Sequence, residues 1–442
     1  MRKHLAWLLL LAATVPGPAR ARLQVVIDDP NFQPFPLAIP DLKNLGGGAE
    51  GEKLARQAAE ILRGDLELSD FFKVVPPKSY LEDPRAAGIT RSTIDFGAWF
   101  QVGAEGLIKG GLELAGDKVR LDLRLFEVAR GEQSLASKYS GSRSQLSRLI
   151  HRFADDVVKH LTGERGSFST RIVCVRKSKG IKQIYVMDAD GRNGRVLTRN
   201  ASINILPTWN HDGARIFFTS YIAHNPDLWV IPAAGGKPKA VSQHRGLNVG
   251  ASASPNGEWI ALTLSRDGNS EIYKMRADGS GLKRLTHSMG IDSSAAWSPD
   301  GSRIAFVSSR SGNPHIYVMG ADGSGQTRLT FVGTYNQTPE WSPLGTKIAF
   351  TARDERNVFD LFEIDVDTRE VTRLTQDQGN NEDPSWAPSG RFLVFSSTRD
   401  GAPAIFLMNE DGSRQRRITR GAGGFTTPVW SPWTTGPFGE KP

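Results

Sequence analysis

Two domains are expected of this 442-residue chain: a small α/β domain with helices on one face of a mixed sheet, followed by an all-β six-bladed β-propeller. Three observations lead there. Phrases such as Trp297-Ser298-Pro299-Asp300-Gly301 return at an almost constant spacing through the C-terminal two thirds. The residues before them lack that repeat and show helical and strand periodicities instead. A short apolar run, preceded by cations and followed by a small-residue site, opens the chain.

That opening comes first in the chain. Arg2, Lys3 and His4 precede apolar residues from Leu5 to Val15, and Ala19-Arg20-Ala21 closes the segment. Residues 1–21 therefore read as a secretory signal peptide, too short to span a bilayer and followed by Arg22, where a lipoprotein would carry Cys. Its removal takes three cations and no acid, so the formal net charge falls from +8 to +5. No basic cluster would track a phosphate backbone, which argues against a nucleic-acid partner. Cys174 is the only cysteine, so no intrachain disulfide can form; in Arg171-Ile172-Val173-Cys174-Val175 it reads as a buried structural thiol.

Residues 22–34 are expected to be an extended segment and 35–163 the α/β domain. From Gly51 to Gly64, Leu54, Ala58, Ile61 and Leu62 share one helical face; from Gln145 to Leu161, Leu146, Leu149, Ile150, Phe153, Val157 and Leu161 do so. Val119, Leu121, Leu123 and Leu125 alternate with Arg120, Asp122 and Arg124, the pattern of a half-buried strand. Gly163 to Ser167 reads as a linker.

Residues 164–434 carry the repeat, and 435–442 a tail. A phrase ending in Leu-Thr or a relative closes at Thr198, Ser242, Thr286, Thr330, Thr375 and Thr419, in steps of 44 residues with a single step of 45. Trp209, Trp297, Trp341, Trp386 and Trp430 mark a second register position, with Ala253 in the remaining slot. Within a copy, runs such as Arg303 to Val307 and His315 to Met319 are β-branched and aromatic, separated by Gly and Asp clusters. Four strands per copy pack as propeller blades, with Ser298-Pro299-Asp300-Gly301 and the segment Ala321 to Gly325 as hairpin turns. The first copy lacks its opening phrase, and the last consists only of Thr427-Pro428-Val429-Trp430-Ser431-Pro432. The C-terminus should therefore donate the inner strand to the blade begun near residue 168, sealing the ring without a covalent bond.

Catalytic patterns are sparse. The sequence has no Gly-x-Ser-x-Gly elbow, no Gly-x-x-x-x-Gly-Lys loop and no His-Glu-x-x-His helix. His151 and His160, nine residues apart on one predicted helix, cannot share a metal and read as surface histidines. Asp188-Ala189-Asp190-Gly191 and its copies lack most of a calcium loop and read as turns. No cofactor or metal is expected, and no enzymatic activity. Five residues before each marker position stand Asn204, Asn248, Asp292, Asn336, Asn381 and, in the sixth slot, Phe425. They can be residues that start turns, or a polar ring at one mouth of the central channel that accepts hydrogen bonds from a partner. Ser293, Gln337 and Glu382 would extend such a ring, with Phe425 as an apolar anchor.

The signal segment, the opening Arg22-Leu23-Gln24-Val25-Val26-Ile27-Asp28, the α/β domain ending at Leu161-Thr162-Gly163, the join Phe168-Ser169-Thr170-Arg171-Ile172 and the six-copy array together resemble the TolB family of the Tol-Pal envelope system. The resemblance covers the whole chain after the signal segment. It implies a non-enzymatic adaptor of the Gram-negative periplasm that helps keep the outer membrane attached and constricting during division. It also implies that the lipoprotein Pal binds at the propeller mouth and TolA at residues 22–28. Further outer-membrane proteins are candidate partners, and the chain is expected to be monomeric outside its complexes. Asn248, Asn336, Gln337 and Glu382 fall on polar positions of the family's mouth-lining loops, whereas the loop at Asp292 and Ser293 lacks the family's Glu-Pro before the tryptophan. An exported propeller that binds or processes a small molecule or peptide in its channel is the alternative.

Overall fold

A computed structural model of the chain describes residues 33–83, 87–353 and 355–433. The signal segment, residues 22–32 and the tail lie outside the described residues. The chain forms two compact units: one holds residues up to 116, 120–139 and 157–163, and the other holds 117–119, 140–156 and the residues from 164 onward.

The α/β region runs β1 (Phe35–Ala38), β2 (Lys43–Gly46), α1 (Gly48–Leu68), β3 (Phe72–Val74), α2 (Phe96–Gln101), β4 (Gly106–Ala115), β5 (Lys118–Glu127), β6 (Glu132–Ser142) and α3 (Leu146–Thr162). The sheet is mixed. Its order is β3-β1-β4-β5-β6, with β2 also on β4, and β1 pairs in parallel with both β3 and β4. Two residues join β4 to β5, a connection that only antiparallel neighbours permit. The alternating strand read from the sequence is β5, where Val119, Leu121, Leu123 and Leu125 are all buried.

The first helix is longer than the expected Gly51 to Gly64, because both glycines lie inside it. Gly51 is a close-packing position: a Cβ there would stand 2.5 Å from the Gly46 carbonyl oxygen, so only glycine lets α1 approach β2. His151, expected at the surface, is 1% exposed with the Asp190 carboxylate 3.7 Å away. It is buried because it lies within the apolar face of α3, among Ile150, Phe153 and Ala154.

The propeller has six four-stranded sheets. Blades 1 to 5 start with the inner strands Asn204–Trp209, Asn248–Ala253, Asp292–Trp297, Asn336–Trp341 and Asn381–Trp386. Blade 6 is β7 (Arg171–Ser178), β8 (Ile181–Asp188) and β9 (Arg195–Val196), with the closing strand Gly424–Trp430 paired to β7 as its inner strand. Each inner strand neighbours the next, and the closing strand neighbours those of blades 5 and 1, which completes the ring. Between blades the packing is apolar. Ile304, Phe306 and Tyr317 of blade 3 lie against Ala261 and Ile272 of blade 2, and the marker tryptophans, 4–8% exposed, fill the seams. Cys174 is fully buried in β7, and burial pushes its thiol far above the ordinary range, away from thiolate chemistry.

Candidate functional site

Every inner strand has the same irregularity. The pairing to the second strand slips after the first two residues in blades 1 to 5, and after the third, Thr426, in the closing strand. The next residue carries the bulge in the left-handed region: Leu206 (φ 49°), Gly250 (65°), Ser294 (54°), Thr338 (49°), Asp383 (57°) and Thr427 (51°). Only one of the six is glycine, and a β-branched residue is rare there, so the ring of blades holds a backbone that isolated strands would relax. All six bulge residues line a central channel of about 560 Å³.

The channel wall is acidic on one side. Glu340 in blade 4 and Asp383 in blade 5 line it, and His211 is the only basic residue among the described lining residues. Enclosure by the wall raises the Glu340 carboxyl to about 7, and burial also raises those of Asp383 and its neighbour Glu382. Among the described residues no group of three His, Cys, Asp or Glu side chains converges as a metal set.

Asn204, Asn248, Asp292, Asn336, Asn381 and Phe425 hold one register at the start of the inner strands, just before the residues that line the channel. They are nevertheless at most 2% exposed. They belong to the inner strands and do not precede them. Their polar atoms are already bonded within the ring, several of them across a blade boundary. Asn381 Nδ2 donates to Asp360 Oδ1 of blade 4 at 2.9 Å while its Oδ1 accepts from Arg399 at 2.9 Å. Asn336 Nδ2 lies 2.9 Å from His315 Nδ1, Asn204 Nδ2 donates to the Lys182 carbonyl at 3.2 Å, and Asn248 Oδ1 accepts from Ser242 at 2.7 Å. The backbone N–H groups of Asn248, Asp292 and Asn336 add bonds of 2.9 Å to the carbonyls of Pro226, Ser270 and Pro314 of the preceding blade. These residues are inter-blade rivets. Phe425 is 2% exposed and edge-on to Tyr185 of its own blade at 5.4 Å, with its backbone N–H bonded to the Pro403 carbonyl of blade 5 at 2.8 Å, so no anchor protrudes there.

Blade 3 departs from the pattern in chemistry. Asp292 replaces Asn and lies 2.6 Å from Arg310, and Glu271, buried in blade 2 at the position twenty-one residues upstream, lies 2.9 Å from Arg284. Burial raises the Asp292 carboxyl above its ordinary value, against the opposing pull of Ser308 and Arg310. An acid raised in the folded state contributes stability that is fully present below its unfolded pKa and lost as pH climbs through the folded one. Asp292→Asn, which restores the residue of blades 1, 2, 4 and 5, should therefore raise the Tm by about 1–3 °C at pH 7.5. The gain should shrink toward pH 4; calorimetry at both pH values checks it.

What the mouth does expose lies beside the rivets. Ser293, Gln337 and Glu382 are half-buried at the next position along each inner strand. Outside the rivets an apolar arc crosses four successive loops: Ile203 (46% exposed), Leu247 (38%), Met289 (fully exposed) with Ile291 (57%), and Phe331 (61%) with Val332 (76%). Exposed apolar side chains gathered on one face mark an interaction surface. Sequence reading missed them, although Ile203, Leu247, Ile291 and Tyr335 each stand immediately before a rivet, a repeat visible in the chain. The remaining expected site residues, Arg22, Leu23, Gln24, Val25, Val26, Ile27 and Asp28, lie outside the described residues.

Residues 23–134 match the family model of the TolB amino-terminal domain, and residues 158–434 match that of the TolB beta propeller domain. The chain is similar to the Tol-Pal system protein TolB of Desulfosudis oleivorans, 39% identical over 226 residues that make up 50% of this chain and 52% of that one. It is also 42% identical over 221 residues to the Tol-Pal system protein TolB of Anaeromyxobacter dehalogenans, 50% of each chain. The chain thus spans about half the length of the curated relatives it matches. A crystal structure of TolB from Acinetobacter baumannii superposes with a TM-score of 0.77 at 25% identity, covering 90% of this chain and 97% of that one.

Proposed function

Because the chain belongs to the TolB family, through both its amino-terminal and its propeller domains, we propose that it is the periplasmic adaptor of the Tol-Pal system. In this reading it binds the lipoprotein Pal at the propeller mouth and TolA through residues 22–28, and it helps keep the outer membrane intact and constricting during division. It performs no chemistry of its own. Among the described residues no helix is long and apolar enough to cross a membrane.

The observation that carries the reading is the apolar arc Ile203, Leu247, Met289, Ile291, Phe331 and Val332 set around a half-buried polar rim of Ser293, Gln337 and Glu382. That is the anatomy of a protein interface, with apolar contacts for affinity and polar groups for register. A sealed ring supplies the surface preformed, so little free energy is lost to ordering it. The bulged channel wall gives the rim a fixed backbone on which those side chains sit.

Titrating the soluble domain of Pal into the protein by calorimetry tests this. Ile291→Asp with Phe331→Asp should weaken binding at least ~30-fold, and Gln337→Ala with Glu382→Ala about 10-fold, since truncating a central interface side chain costs about 1–2 kcal/mol or more. An unchanged Kd in the Ile291→Asp, Phe331→Asp variant, with its Tm retained, removes this face from the proposal.

A further inference from the structure

The blades meet at their outer edges through a repeated contact. In blades 2, 3, 5 and 6 the hairpin between the third and fourth strands carries Asp-Gly, and its glycine lies against a carbonyl of the preceding blade's outer strand; the blade 4 hairpin has no glycine and instead packs Val366 against the apolar cluster that holds Leu329 of blade 3. A Cβ on Gly279 would stand 2.6 Å from the Val241 oxygen, on Gly323 2.7 Å from that of Leu285, and on Gly412 2.5 Å from that of Leu374; Gly191 is pressed in the same way against Ile418. Only a glycine closes these junctions.

The junction between blade 6 and blade 1 is built differently. Its hairpin reads Ala233-Ala234-Gly235-Gly236-Lys237, with Ala234 in the register of Asp190, Asp278, Asp322 and Asp411. The nearest atom to a Cβ on Gly235 is Arg195 Nη1 at 3.5 Å, and the Leu197 carbonyl is not within 4 Å. Arg195 stands between the two blades with its Nη2 donating to the Ala233 carbonyl at 2.6 Å. The gap is a cleft of about 520 Å³ alongside β9, which pairs only with β8 and leaves its other edge free. Its floor is apolar, with Leu197 and Ile231 buried and Val196 half-buried. Its charges are Arg195, Arg199 and Lys237, and no carboxylate lines it. The Arg195 guanidinium is held below its ordinary value, first by burial and then by the positive charge of Arg148.

We propose that this open junction binds an extended acidic peptide segment of a partner protein, laid along the free edge of β9 as a fifth strand. Alternate apolar side chains enter the floor, and carboxylates meet Arg199 and Lys237. Added strands gain affinity from main-chain hydrogen bonds and specificity from alternate side-chain pockets, which suits a groove with an apolar base and a cationic rim. A volume within the range of ligand clefts admits several side chains. This inference concerns the outer edge of the ring and does not depend on what binds its mouth.

The test uses the full chain without its signal segment and a fluorescein-labelled decapeptide of alternating Asp and Val, followed by anisotropy. Saturable binding is expected, weakened at least ~10-fold by Arg199→Glu with Lys237→Glu. Ala234→Asp, which restores the carboxylate of the other hairpins at an exposed position, should weaken it similarly. Two controls decide the mode. A peptide with Asn for Asp should not bind, and one with Gly for Val should lose most of its affinity. Equal binding of the Gly peptide would reduce the cleft to a general anion attractor and overturn the proposal. Binding unaffected by Ala234→Asp, with the Tm unchanged, would also overturn it.

Discussion

A chain ended at Gly423 is expected to lose its single cooperative unfolding transition, or to melt more than about 10 °C lower. The closing strand pairs with β7 from Gly424↔Lys177 to Trp430↔Ile172. It brings two aromatic side chains into the core, Phe425 at 2% and Trp430 at 6% exposure. Removing either one costs about 3–5 kcal/mol by the usual large-to-small scale. The polar seam goes with them: Trp430 Nε1 donates to Thr170 at 2.7 Å, the Ser431 N–H to the Arg171 carbonyl at 2.8 Å, and Trp209 Nε1 of blade 1 to the Val429 carbonyl at 3.0 Å. Together these losses rival the ~5–15 kcal/mol net stability of a typical domain. Calorimetry and near-ultraviolet dichroism of the truncated chain check it, and a synthetic peptide of residues 424–433 should restore part of the signal. A truncated chain that still melts in one transition within a few degrees of the full one would show that the ring does not depend on its seam.

Asn381→Ala should destabilise the protein by about 2–4 kcal/mol, whereas Gln378→Ala in the adjoining exposed loop should stay within ~0.5 kcal/mol. Asn381 is fully buried between Asp360, also fully buried, and Arg399. Truncating it leaves the Asp360 carboxylate short of a donor in a place water does not reach, and the half-buried Arg399 guanidinium short of an acceptor. Thr375, which donates to the same Asp360 oxygen at 2.7 Å, cannot replace the lost amide. Urea denaturation of the two variants measures the difference. Equal midpoints would mean that the rivet contributes little and that its burial is incidental.

The repeat made the blades legible to within a residue or two. A period shared by Trp, Ser-Pro-Asp-Gly and Leu-Thr leaves little freedom in where four short strands and their turns can lie, and the incomplete first and last copies revealed the shared blade. The α/β region was less legible. Its glycines at 51 and 64 look like helix ends, but one is a packing contact and the other is tolerated inside α1.

The mouth was misjudged in one respect. Polarity at Asn204, Asn248, Asp292, Asn336 and Asn381 says nothing about what those side chains face, and the structure turns them into the seams. A signal was present. A polar residue stands twenty-one positions upstream of the rivets Asn248, Asn336 and Asn381, at Asp227, His315 and Asp360. Where the rivet is apolar, at Phe425, the corresponding residue is Ala404. Such matched changes are what contact across a junction produces. The arc from Ile203 to Val332 was overlooked because isolated apolar loop residues are ordinary, and only the ring gathers them onto one face.

The seam between β7 and the closing strand joins residues as much as 260 positions apart. Loop-closure entropy makes such a pairing slow, and it cannot begin before the last residues have been synthesised. Until that moment β7 has an unmatched flank and the inner face of blade 5 has no neighbour, so a half-made ring is the species most exposed to misassociation. The final few residues thus time the maturation of the whole molecule, acting as a latch thrown once.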